Sequence, residues 1–290
     1  MGLHLLLAQL LVVFLFIFAS TSVSANGNAK GMEGDKQKKH FVLVHGACHG
    51  SWCWYKLKPL LEAAGHRVTA MDLSASGINP KRLDELQTFS DYTLPLLEVM
   101  ESISPDEKVV LVGHSLGGMS MAFAMEKYPN KISVAVFVNA FMPDTIHSPS
   151  FVLDQYIERT PAKDFLDIQS LPFGKNGHLT SLLFGPKFIS AKLYQLCSPE
   201  DVALAKALLR PTSLFREDLS TKRAFSNEGF GSVKRAYIIS AKDKTITQEF
   251  QRWEIENTGV AIVKEIKDAD HMAMLSKPKK LCQCLLDIVN

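Results

Sequence analysis

The stretch Val109-Val110-Leu111-Val112-Gly113-His114-Ser115-Leu116-Gly117-Gly118 decides how the rest of the chain is read. Four apolar residues, three of them β-branched, end abruptly in small residues that flank a serine two positions away on either side. A serine on a sharp turn between a buried strand and a helix needs such neighbours, because the backbone doubles back and its own angles are strained. Helix-forming sequence follows at once, running towards Tyr128 and stopped by Pro129. The N-terminus of that helix offers a favourable dipole to negative charge developing beside the serine. The spacing Gly-x-Ser-x-Gly alone arises often by chance; the strand before it and the helix after it give it weight.

Working outward, the same rhythm repeats. Phe41-Val42-Leu43-Val44 reads as a short buried strand, followed by a loop with Gly46 and Gly50. Residues 54–64 read as a helix capped by Gly65, residues 68–73 as a strand and residues 92–103 as a helix. Residues 132–138 form the next strand. The alternation then breaks. From His147 to about Phe225 the sequence is helix-like and interrupted by Pro161, Pro172, Pro186, Pro199 and Pro211, which suggests an inserted helical cap. Strand and helix resume at residues 235–240, 248–256, 261–266 and 277–288. Continuous β-branched runs between helices indicate a mostly parallel sheet buried on both faces. With the serine turn added, the expected class is α/β, the α/β-hydrolase fold, occupying residues 40–290.

A serine hydroxyl is a weak nucleophile until a base takes its proton, and a third group must hold that base. In this fold the order along the chain is serine, acid, histidine. Asp243 follows the strand ending at Ser240, and His271 follows the last strand, so Ser115, Asp243 and His271 are the expected catalytic residues. Asp268 and Asp270 share the histidine's own loop and read as solvated acids. An oxyanion hole is expected from the N–H groups of Leu116, after the nucleophile, and Ala47, after the first strand. His45, His49 and His114 read as packing or loop residues, with His114 pointing away from the site. His4, His40, His66, His147 and His178 fall in no pattern. None of these sets has metal-ligand spacing, so neither metal nor cofactor is expected.

Composition narrows the partners. In 290 residues, 32 basic and 30 acidic side chains are interspersed, for a net charge of +2. No basic stripe points to nucleic acid. Residues 5–19 are apolar apart from Gln9 and lead to Val23-Ser24-Ala25, small residues suited to signal peptidase. That run is shorter than the roughly 20 residues that cross a bilayer core. The expectation is a signal peptide over residues 1–25 and entry to the secretory pathway, ending outside the cell or in the vacuole, with no membrane span afterwards. An uncleaved anchor or a cytoplasmic location is the alternative. Residues 26–39, NGNAKGMEGDKQKK, read as a disordered linker. The five cysteines are odd in number and suggest no disulfide framework.

Three stretches carry a more specific resemblance: His40 to Gly50 (HFVLVHGACHG), Gly113 to Met119 (GHSLGGM) and Ala269 to Leu275 (ADHMAML). With Ala75 to Pro80 (ASGINP) and Phe250 to Trp253 (FQRW), they are similar to the plant methylesterase family, which includes methyl salicylate and methyl jasmonate esterases, polyneuridine-aldehyde esterase and the related hydroxynitrile lyases. The resemblance covers His40 to the C-terminus and leaves out the first 39 residues. It implies a capped α/β-hydrolase that hydrolyses methyl esters of small plant metabolites, either hormone-type or alkaloid acids. The lyases resembling this chain carry threonine where Gly46 stands and lysine where Met272 stands. That lysine supplies positive charge for departing cyanide, which methionine cannot, so an esterase is expected over a hydroxynitrile lyase. A non-hydrolytic small-molecule receptor is the other alternative, and the presence of both Ser115 and His271 speaks against it. Phe141, Tyr156 and Phe165 are the expected substrate-pocket walls, with Leu182 and Leu183 nearby. Ser170 stands where salicylate-type relatives carry a larger aromatic, which would open space. Residues 78–85, 231–238 and 264–274 look most like polyneuridine-aldehyde esterase. A homodimer is compatible with this reading.

Overall fold

The computed structural model describes residues 38–174 and 177–290. The expected signal peptide and most of the expected linker lie outside the described residues. Six strands form one parallel sheet: β1 (His40–Val44), β2 (Arg67–Ala70), β3 (Val109–His114), β4 (Ile132–Val138), then, after the insertion, β8 (Arg235–Ser240) and β9 (Ile262–Ile266). Their spatial order is β2-β1-β3-β4-β8-β9, and every neighbouring pair is parallel.

The unbroken apolar runs are explained by burial on both sides of this sheet. Val42, Val44 and Leu111 face one core, shared with α2 (Phe89–Ser102), α3 (Gly117–Lys127) and α8 (Gln248–Thr258). Phe41, Leu43, Val110 and Val112 face the other, packed by α1 (Leu57–Ala63) and α9 (Pro278–Val289). Successive strand residues point to opposite faces, so a strand buried on both has no polar position to alternate with.

Chain order and spatial order part company between β1 and β3. From β1 the chain moves to β2 at one edge, and from β3 it moves through β4 and β8 to β9 at the other. The loops leaving the C-terminal ends of β1 and β3 therefore diverge and leave a crevice, the general location of ligand sites in open α/β sheets.

The insertion between β4 and β8 differs from the helical cap expected. It contains α4 (Phe151–Arg159), α5 (Pro186–Phe188) running into a π turn over Ile189–Leu193, α6 (Pro199–Leu208) and α7 (Arg216–Ser220). It also contains a three-stranded antiparallel sheet of β5 (Gln169–Phe173), β6 (Leu179–Leu183) and β7 (Thr212–Ser213). Pro172 made residues 169–173 look unlike a strand. Because β5 is an edge strand, proline's missing N–H removes no essential ladder bond. Among the described residues no helix is long and apolar enough to cross a membrane.

Candidate active site

Ser115 sits at the turn between β3 and α3 with φ of 53°, the left-handed region that a non-glycine residue occupies only when its surroundings insist. Its carbonyl accepts N–H bonds from Gly118 (3.1 Å) and Phe141 (3.1 Å), which hold the turn closed. Gly117 is required by close approach: a Cβ there would lie 2.6 Å and 2.7 Å from the carbonyl oxygens of His45 and Val44. The small residue thus lets α3 start directly against the end of β1. The strained serine expected from sequence is present.

Asp243 and His271 meet behind it. His271 Nδ1 donates to Asp243 Oδ2 at 2.7 Å, and both residues are buried. The other carboxylate oxygen, Oδ1, accepts the N–H groups of Thr245 (2.7 Å) and Ile246 (3.0 Å), so the acid is fixed by its own loop. Gln251 and Glu254 on α8 support that loop and its neighbour. Gln251 accepts the Ser240 N–H (3.0 Å) and donates to the carbonyls of Ser240 (3.2 Å) and Ile246 (2.7 Å). Glu254 accepts the Met142 N–H and the Tyr237 hydroxyl, each at 3.0 Å, and burial holds its carboxyl well above the usual range.

Asn139, which sequence reading missed, stands at the centre of this arrangement. It follows β4 with a φ of 33°, and its side-chain amide donates to Asp243 Oδ2 (2.9 Å) and to the His271 carbonyl (2.9 Å). Its own carbonyl accepts the Ser240 hydroxyl at 3.0 Å. The only sequence signal was a polar residue directly after an apolar run of five, Val134 to Val138, of a type that tolerates the left-handed region.

Two expectations need correction. His114 does not point away from the site: its ring lies against that of His271, centroids 4.5 Å apart, and its Nε2 donates to the His271 carbonyl at 2.8 Å. Asp270 is not solvated. It is fully buried and accepts the N–H groups of Leu196 (2.8 Å) and Met272 (3.1 Å), while burial raises its carboxyl above the ordinary value. It therefore ties the histidine loop to the cap. Asp268 is the exposed acid expected, paired with Lys277 at 3.0 Å and Lys280 at 2.7 Å.

Ser115 and His271 open into a cavity of about 360 Å³. Ala47 and Leu116 line it, and among the described residues no protein acceptor takes up the N–H of either. Phe141, Tyr156 and Phe165 are walls of this cavity, as are Leu182 and Ser170; Leu183 is not. No lysine or arginine is among its lining residues. A larger cleft of about 560 Å³ adjoins it across Tyr156 and Thr245, but is ringed by Arg159, Asp164, Lys244 and Glu249 and holds neither Ser115 nor His271. Among the described residues no group of three or more His, Cys, Asp and Glu side chains is placed to hold a metal ion.

A strained serine after β3, a buried acid–histidine pair after later strands and two free N–H groups at the crevice define an α/β-hydrolase. The family model described as the alpha/beta hydrolase fold matches residues 39–278. Salicylic acid-binding protein 2 of Nicotiana tabacum is 65% identical over 256 residues, covering 88% of this chain and 98% of that protein. Methylesterase 1 of Arabidopsis thaliana is 52% identical over 260 residues, 89% of this chain and 99% of that one. A crystal structure of polyneuridine aldehyde esterase matches with a TM-score of 0.86 at 58% identity, covering 88% of this chain and all (100%) of that one. The chain belongs to the plant methylesterase family and is a carboxylic ester hydrolase acting on methyl esters.

Proposed function

We propose that the chain cleaves the methyl ester of a small hydrophobic plant acid through an acyl-enzyme on Ser115, with His271 as base and Asp243 as its orienting acid. The observation that carries this reading is the buried Asp243–His271 pair, 2.7 Å apart, whose histidine lines with Ser115 a cavity with largely apolar walls. Ser115 Oγ attacks the ester carbonyl while His271 Nε2 accepts its proton. Asp243 keeps Nδ1 protonated and stabilises the imidazolium that results. The tetrahedral oxyanion binds the N–H groups of Ala47 and Leu116, each such donor contributing roughly 2.7–4 kcal/mol to the transition state. The intermediate collapses as His271 gives its proton to the departing methoxide, releasing methanol. Water, deprotonated by His271, then attacks the acyl-enzyme, and the free acid leaves with Ser115 restored.

Methanol is too small to select for, so selectivity lies with the acid. Phe141, Tyr156, Phe165 and Leu182 favour a flat or compact apolar acid, and Ser170 leaves room for added bulk or polarity. The names of the relatives suggest salicylate and an alkaloid aldehyde ester as acids to try, and the family resemblance adds jasmonate. The absence of a lining cation, with a buried Met272 after His271, supports ester hydrolysis over release of cyanide.

The test is incubation of the purified protein with the methyl esters of salicylate, jasmonate, indole-acetate and an alkaloid acid, and with a cyanohydrin. Equal amounts of acid and methanol from one ester, lost in Ser115→Ala, are the expected result. Cyanide release, or turnover by Ser115→Ala near that of the unaltered protein, would sink it.

A further inference from the structure

The loop after β1 is held by its carbonyls. Gly46 O accepts from His45 Nδ1 at 2.8 Å, Ala47 O accepts from His49 Nδ1 at 2.7 Å, and Cys48 O accepts the Arg210 N–H at 3.0 Å. A carbonyl can only accept, so both imidazoles carry their proton on Nδ1. Their far nitrogens must then accept, and each has a donor: the Leu73 N–H reaches His45 Nε2 at 3.0 Å, and the Tyr194 hydroxyl reaches His49 Nε2 at 2.7 Å. Both rings are buried, and His49 is stacked against Trp52 and Tyr194. Neither ring lines the cavity.

The consequence follows from peptide geometry. The Gly46 carbonyl and the Ala47 N–H belong to one planar unit and point in opposite directions. Anchoring the first aims the second. Anchoring the Ala47 carbonyl fixes the next plane, so Ala47 is held from both sides in a loop that also includes a glycine and Cys48 at φ of 62°.

We propose that His45 and His49 are positioning residues that aim the Ala47 N–H at the substrate's carbonyl oxygen. This rests on the reading of Ala47 as an oxyanion donor given above. A second proton on His45 would set its Nε2 as a donor against the Leu73 N–H, while one on His49 would require the Tyr194 hydroxyl to turn and accept. Burial opposes that by lowering the basicity of both rings, that of His49 to about 3.

The experiment compares His45→Leu, which removes the donor, with His45→Asn, whose amide nitrogen can replace Nδ1. For each, kcat and KM are measured with a methyl ester. Inhibition is measured with a matched trifluoromethyl ketone and methyl ketone, because only the former forms a stable hemiketal oxyanion on Ser115. His45→Leu should lower kcat and trifluoromethyl ketone affinity together by about 10–100-fold, less than loss of a whole oxyanion donor. KM and methyl ketone affinity should stay within about threefold, and His45→Asn should recover most of the loss. Unchanged kcat and trifluoromethyl ketone affinity in folded His45→Leu would overturn the positioning role while leaving the esterase reading intact. A kcat loss with no matching loss of trifluoromethyl ketone affinity would overturn it too. If the unaltered protein binds the trifluoromethyl ketone no better than the methyl ketone, the oxyanion reading itself fails and this proposal with it. Should His45→Leu not fold, His49→Leu and His49→Asn decide by the same criteria.

Discussion

Gly46 marks a close approach between the two loops of the crevice. A Cβ built on it would fall 2.8 Å from Ser115 Cβ, closer than real side chains approach, and 3.2 Å from His114 Nδ1, a tight contact. A larger residue there must move either the nucleophile or the loop that carries Ala47. Displacements near 1 Å at a reacting centre cost about a hundredfold in rate, so Gly46→Thr should lower kcat/KM by roughly that factor while the protein stays folded. Steady-state kinetics on the preferred ester checks this; activity within a few-fold of the unaltered protein would refute it. Ser115, Asp243 and His271 were legible from sequence because each follows a recognisable strand in the order that the fold demands. Asn139 was not, since its role depends on a φ of 33° that places its amide between Asp243 and His271. Asp270 was misjudged because closeness in sequence to a loop histidine says nothing about depth.

Strands and helices of the sheet were readable to within a few residues wherever an apolar run was continuous, as in β1, β3 and β4. The cap sheet was not, because β5 and β6 are short and only partly buried and carry no clean alternation. The Phe250 to Trp253 stretch, which sequence offered only as a resemblance, acquires a physical meaning on α8. Gln251 from that helix satisfies both backbone groups of Ser240 and the carbonyl of Ile246, bracketing the turn that presents Asp243. Gln251→Leu would take the partner from the Ser240 N–H and the Ile246 carbonyl, and leave the Ser240 carbonyl only the Asp243 N–H at 3.2 Å. Unpaired buried groups cost about 1–3 kcal/mol each before relaxation, so urea unfolding should show a loss of at least about 1 kcal/mol. kcat should fall with it as the Asp243 turn loosens. Unaltered stability and kcat would show that the helix does not serve the acid in this way.

At the scale of the whole molecule, buried histidines set the response to acid. Burial lowers the basicity of His40, His45, His49 and His114, with His49 going from the ordinary 6.5 to about 3. Folded, these rings resist protonation more than an ordinary imidazole does; unfolded, they take up protons below about 6.5. The unfolded state therefore binds more protons in that window, and the fold loses stability as pH falls through it. Glu254 and Asp270 work the other way, because burial raises them and their charging at higher pH is resisted. His49, whose shift from 6.5 to about 3 spans this window, carries the effect, so the melting temperature should drop by about 5 °C or more between about pH 7 and about pH 5. Thermal melts across that range test this, and His49→Gln should flatten the slope. A melting temperature that is flat or rises on acidification would contradict it.

The cavity is assembled from two parts of the chain with separate duties. The core loops bring Ala47, Ser115, Leu116 and His271, while the insertion brings Tyr156, Phe165, Ser170 and Leu182. Bond cleavage and choice of acid can thus diverge independently: the insertion is a replaceable mould set over a fixed reaction centre. One fastening of the insertion bears directly on the oxyanion loop. Arg210, between α6 and β7 of the insertion, binds Cys48 O through its N–H and the carbonyls of Gly77, Asn79 and Lys81 through its guanidinium. A transplanted insertion that keeps this arginine would inherit a working oxyanion loop, and one that discards it would exchange a new appetite for a slack grip on the ester it admits.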